Sequence, residues 1–178
     1  MKIASSEFTE HGSQMVLPLF EGVDKAPNNS LSGLSRSQRS LVRDALSSGG
    51  FDGKKGRRMT LWTPGCNIVL VGMGEKDSLG HKIARNTGAR LIASMSKKKG
   101  IDVTVRFTSG WSVKRMIDFA EGMLLRDYEF LEHQESPKDH ISDPWNVSFQ
   151  ASSRYQELLA RGLSKVGSVA EGVHIARD

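Results

Sequence analysis

Asn67-Ile68-Val69-Leu70-Val71-Gly72-Met73-Gly74, the stretch NIVLVGMG at positions 67–74, decides the fold. Four apolar residues follow one another with no polar alternation. A strand with one wet face alternates, so this run reads as a strand buried on both faces, as inside a parallel sheet covered by helices. Glycines then mark its exit. Upstream, residues 58–62 read as another strand, and Pro64-Gly65 supplies the turn between the two. Downstream, residues 78–99 carry Ile83, Ala84, Leu91, Ile92 and Met95 at helical spacing, although Gly80 and Gly88 are poor helix formers.

The alternation continues in both directions. Residues 3–8 and 15–19 read as strands separated by His11-Gly12-Ser13. A loop rich in Pro, Asn, Ser and Gly spans 24–33. Ser35 with Gln38 three positions on predicts a capping box, and Leu41, Val42, Ala45 and Leu46 fall on one face of the helix that follows, closed by Gly49-Gly50. Residues 103–107 are a further strand and 112–128 a helix with Val113, Met116, Ile117, Ala120, Met123 and Leu124 on its apolar side. Residues 132–144 are polar, with two Pro and two His, and read as an exposed loop. Trp145, Val147 and Phe149 alternate as a half-buried edge strand does. Strands alternating with helices imply an α/β domain with a mixed or parallel sheet between helices.

The chain ends inside a pattern. From Ser153 onward Tyr155, Leu158, Leu159, Leu163, Val166, Val169, Ala170, Val173 and Ala176 recur at three- and four-residue steps, with Ser153 and Gln156 placed for a capping box. Such a helix would extend about 39 Å. Asp178 brings no Gly, Asn or Pro to stop it, and a terminal carboxylate opposes the helix dipole. The expectation is a longer protein whose helix runs on into another domain.

Composition narrows the classes of function. The 178 residues suit one domain plus a protruding helix. No apolar run reaches transmembrane length, and residues 1–8 lack a secretory apolar core, so a membrane is not an expected partner and a cytoplasmic location is expected. The single Cys66 cannot form an internal disulfide. The net charge of +5 raises nucleic acid as an acidic partner. Lys54, Lys55, Arg57 and Arg58 flank Gly56, while Lys97, Lys98 and Lys99 close a predicted helix, where cations also complement the dipole.

Gly72-Met73-Gly74 follows the most buried strand, so its backbone amides are candidates for cradling a phosphate. The turn lacks a third spaced glycine and a P-loop Lys, and the ordinary purpose of Gly72 and Gly74 is a tight strand exit. Glu132, His133, Glu135, Asp139 and His140 crowd one loop, but their spacing matches no structural zinc pattern. His174 on the last helix reads as a packing residue. Cys66 has no nearby His or cationic neighbour to make it a nucleophile. Trp62, Trp111 and Trp145 stand apart and read as core or interface anchors rather than as a stacking platform. No serine elbow, HExxH or paired-carboxylate signature occurs.

Five stretches in order, VLPLFEG (16–22), FDGKKG (51–56), IVLVGMG (68–74), EGMLLRDYEF (121–130) and AEGVHIARD (170–178), resemble the amino-terminal domain of the cytosolic leucyl aminopeptidases, a family of two-metal exopeptidases. The resemblance implies a three-layer, macro-domain-like body over residues 1–150 and an interdomain connecting helix over 151–178. It also implies that hydrolysis of peptides occurs in a separate catalytic domain holding two divalent ions (zinc, manganese or magnesium), with no catalytic or metal residue in this chain. The family's role for this domain is packing beside the catalytic domain and assembly of a homo-hexamer. Macro domains bind ADP-ribose in glycine-rich loops, and some relatives bind DNA, so the alternatives are a nucleotide-binding or DNA-binding module, or a free-standing structural protein.

Overall fold

In a computed structural model the chain is described over residues 2–6, 13–23, 31–95, 102–126 and 146–175. The apolar run of 68–71 lies in β4 (Asn67–Gly72), which is buried from Ile68 onward. It pairs in parallel with β2 (Gln14–Leu19), equally buried, in the register Met15 to Ile68 through Leu19 to Gly72. With β1 (Lys2–Ser6), β3 (Arg58–Leu61), β5 (Asp102–Arg106) and β6 (Asn146–Gln150) they make a six-stranded sheet in the order β1-β6-β5-β2-β4-β3. Every neighbouring pair is parallel except β3 with β4. The expected mixed α/β sheet between helices is therefore what forms.

Successive side chains of a strand point to opposite faces, and that alternation divides the core in two. Met15, Leu17, Leu19, Ile68 and Leu70 face α1 (Arg36–Ser47) and pack with Leu34, Val42, Leu46 and Phe51. Val16, Val69, Val71, Val103, Val105, Val147 and Phe149 face the other way, against α2 (His81–Met95), α3 (Val113–Arg126) and α4 (Ser153–Ile175). The result is three layers. The predicted capping box opens α1: the Ser35 hydroxyl accepts from the Gln38 N–H at 3.2 Å, and Gln38 Oε1 accepts from the Ser35 N–H at 2.9 Å.

Helix α2 starts at His81 rather than at 78. The preceding residues close short turns instead, Ser78 N–H to the Glu75 carbonyl and Leu79 N–H to the Lys76 carbonyl, before Gly80. Gly88 has a reason that lies outside its own helix. A Cβ there would stand 2.1 Å from the Phe119 carbonyl oxygen, and one on Gly122 would stand 1.9 Å from that of Arg85. The two glycines let α2 and α3 cross backbone to backbone, which compensates for their poor helix propensity.

Helix α4 buries Leu159, Leu163 and Ala170, but Leu158 and Val169 are 57% and 51% exposed, so its buried stripe is narrower than the spacing suggested. At its start the Tyr155 N–H donates to the Ser152 carbonyl and Gln156 Nε2 to that of Ala151. On the α1 side of the sheet, β5 and β6 bury polar rather than apolar residues: Thr104, Arg106 and Gln150. Arg106 Nε donates to Gln150 Oε1 at 2.7 Å, and its guanidinium also donates to the Ser32 carbonyl. Burial pulls the guanidinium down to about 10, opposed only by the thiolate form of Cys66, so it stays charged at neutral pH. Among the described residues no helix is long and apolar enough to cross a membrane.

Candidate functional site

Open α/β sheets place ligands outside the carboxyl ends of the strands, where the chain's winding reverses. Here that crevice lies beyond β2 and β5, since β4 is reached on one side of β2 and β5 on the other. Aromatic rings occupy it. Phe20 and Trp111 stand 5.7 Å apart and Phe107 and Trp111 4.8 Å apart, with Trp111 Nε1 donating to the Pro18 carbonyl at 3.4 Å. The Gly72-Met73-Gly74 turn beside it has committed its donors to the chain itself. Gly72 N–H donates to Arg57 at 2.8 Å, Met73 N–H to Leu19 at 2.9 Å and Gly74 N–H to Gly53 at 3.0 Å. A Cβ on Gly72 would stand 2.0 Å from the Lys54 carbonyl oxygen, so this glycine serves the close approach of the 53–55 segment.

A cleft of about 530 Å³ opens elsewhere, between α2 and the edge strand β3. Lys55, Arg57 and Arg58 reach it from the turn that enters β3, in which the Arg57 N–H donates to the Lys54 carbonyl at 3.0 Å. Pairing Arg58 with Val71 across the antiparallel ladder sets both on the face that α2 covers. From α2 come Lys82, Asn86, Arg90 and Ser94, each four residues after the last and hence on one face of the helix. Val71, Ile83 and Leu91 line its base. The Arg58 guanidinium donates to the Ser94 hydroxyl, tying the edge strand to the helix across the cleft. Asp52 lies just outside, with Arg57 at 3.3 Å and Lys54 at 3.5 Å. Slight burial would raise its carboxyl, but the Lys54 amide and the two cations outweigh that and hold it below its ordinary value.

Three of the basic residues singled out from sequence, Lys55, Arg57 and Arg58, thus meet in one cleft. Lys54 turns to Asp52, and Lys97, Lys98 and Lys99 lie outside the described residues. The charge clusters do not include Lys82 and Arg90, whose signal is the polar i, i+4, i+8 row with Asn86 beside the apolar face of the helix. Cys66 is 1% exposed, and burial pushes its thiol above the ordinary range against the Met15 backbone and the Arg106 charge. Trp111 is a core residue and Trp62 is 68% exposed. Trp145, the 132–144 loop and the His174 side chain lie outside the described residues. Among the described residues no three His, Cys, Asp or Glu side chains are placed to hold a metal ion.

The profile of the N-terminal domain of the cytosol aminopeptidase family matches residues 16–137. Among solved structures the chain is similar to a mutant of tomato leucine aminopeptidase, at TM-score 0.71 and 21% identity over 97% of this chain and 36% of that one. It is also similar to the bottromycin maturation enzyme BotP, solved in complex with Mn, at TM-score 0.59 and 16% identity over 93% of this chain and 31% of that one. The chain spans about a third of the length of both. No curated protein matches the sequence.

Proposed function

The chain belongs to the cytosol aminopeptidase family through that family's N-terminal domain, and from this premise we propose that it is the non-catalytic amino-terminal part of a cytoplasmic, metal-dependent leucyl aminopeptidase. Residues 1–150 are the packing body, and residues 151–178 are the helix that leads to the catalytic domain. That domain supplies the two divalent ions and cleaves N-terminal residues from peptides. The present domain packs beside it and takes part in a homo-hexamer.

The observation that carries the reading is the family match across residues 16–137. One other supports it. The glycine turn spends its amides on the chain, and the crevice beside it holds Phe20 and Trp111, which speaks against the nucleotide-module alternative.

The test is hydrolysis of a leucine anilide with added manganese or zinc. The 178-residue chain alone is expected to give no turnover above buffer. The same chain joined to the catalytic domain is expected to turn over and to run as a hexamer in light scattering. Turnover by the chain alone that disappears on mutation of its own residues would overturn the reading.

A further inference from the structure

We propose that the cleft between α2 and residues 55–58 is a binding site for a small polyanion, a compact molecule carrying two or more phosphate or carboxylate groups. Five cationic side chains line it, and among the described residues no Asp or Glu joins the lining. Lys55, Lys82 and Arg90 make no ion pair among the described residues, and Arg58 is met by a neutral hydroxyl. Only Arg57 has a carboxylate, Asp52 at 3.3 Å, which Lys54 shares. The contrast within one helix is informative. Where α2 meets α3, Arg85 has Glu121 at 3.0 Å, yet where it faces the cleft its cations go unanswered. Like charges gathered at one concavity repel, and a bound counter-charge relieves that repulsion.

The lining also selects the ligand class. Guanidinium forks take phosphate or carboxylate bidentately, and ammonium groups add point charges. Asn86 and Thr87 contribute neutral polar groups above an aliphatic base. No Phe, Tyr or Trp is in the lining, so nothing offers a nucleobase a face to stack on. A volume of about 530 Å³ suits a small molecule, whereas a duplex needs an open track along its phosphates. The site is distinct from the crevice beyond β2 and β5 and does not depend on the aminopeptidase reading.

Calorimetry of the 178-residue chain at low ionic strength, with inorganic pyrophosphate in one arm and citrate in the other, tests the site. At least one of the two is expected to give a saturable one-to-one isotherm, and the arm that does so identifies the charged group. Lys82→Gln and Arg90→Gln change exposed positions of α2, and each is expected to weaken binding about tenfold, the worth of one charge-assisted hydrogen bond. Arg39→Gln, which removes an equal charge from α1 on the opposite face of the sheet, is expected to leave the affinity unchanged. Circular dichroism checks that each variant is folded. Three results would overturn the proposal: no saturable heat with either anion, both α2 variants binding as the parent does, or an equal loss in Arg39→Gln. Retention of duplex DNA without binding of either small anion would overturn it too and make this face a nucleic-acid surface.

Discussion

Cys66 shows how far a single side chain can be read. Sequence indicated an inert thiol, because neither a His nor a cation stands beside it along the chain. Structure reaches the same conclusion by another route: the sulfur is buried in the α1-side core, and the cation that acts on it, Arg106, comes from β5. Burial raises the thiol pKa, so the folded protein holds its proton at a pH where the unfolded chain, with an ordinary thiol near 8.5, gives it up. The sign follows from linkage. Stability from this group is intact below the unfolded pKa and declines as pH rises above it toward the folded value. Cys66 is expected to resist a disulfide thiol reagent at pH 8 in native protein and to react fully in urea. Rapid native labelling would place it at the surface.

Among the other single residues, Ser35 and Gln38 were legible because a capping box is local, its two members three positions apart. The cleft was not legible. Arg58 and Arg90 are thirty-two positions apart, counting from one number to the other, and meet only because β3 turns back antiparallel onto β4 and places its outer residues opposite α2. Charge clusters along the chain named three of its five cations, Lys55, Arg57 and Arg58, and helical phase on α2 would have named the other two, Lys82 and Arg90.

At the scale of elements, periodicity located every helix and strand that the described residues contain, and it erred where packing overrode local preference. Gly88 counted against α2 in the sequence, yet the α2 to α3 crossing requires it. Two glycine substitutions separate propensity from packing. Gly88→Ala gains about 1 kcal/mol of helix propensity, but its methyl meets the Phe119 backbone at 2.1 Å, and overpacking costs about 1–3 kcal/mol or more. A net loss of stability is expected in urea unfolding. Gly167→Ala on α4 meets nothing within 4 Å and is expected to stabilise by about 0.5–1 kcal/mol. Equal effects at the two sites would show that the helices do not cross as closely as described. Leu158 marks the opposite error, an apolar residue at helical spacing that the body does not cover, because a repeat of three and four residues fixes a stripe without fixing its width.

For the whole molecule, the α/β class followed from one buried run and the alternation around it, while the strand order did not. Nothing local tells β5 to pass over β2 rather than to join β4. Both cores share β2 and β4, whose odd and even residues feed opposite layers, so neither layer can open without stripping the strands that the other packs on. Two probes on opposite faces are therefore expected to report one urea transition: Cys66 reactivity for the α1 layer, and near-ultraviolet circular dichroism of Phe107, Trp111 and Phe119 for the other. Midpoints that differ would reveal layers that unfold separately.

The pairing of Arg106 with Gln150 across β5 and β6 has a consequence for how the strands find one another. The two stand directly opposite in the parallel ladder, and on each strand the preceding residue, Val105 or Phe149, points to the other side of the sheet. If β5 slipped by a single residue, Arg106 would be turned into the company of Phe119 and Phe149, and an aliphatic side chain would be left opposite the Gln150 amide. Such a mismatch would leave a charge among aromatic rings without the acceptors it now has, a heavier penalty than any exchange of one valine for another. A central sheet made largely of interchangeable valines, leucines and isoleucines therefore carries a buried polar rivet, and that rivet tells the correct alignment from its near neighbours.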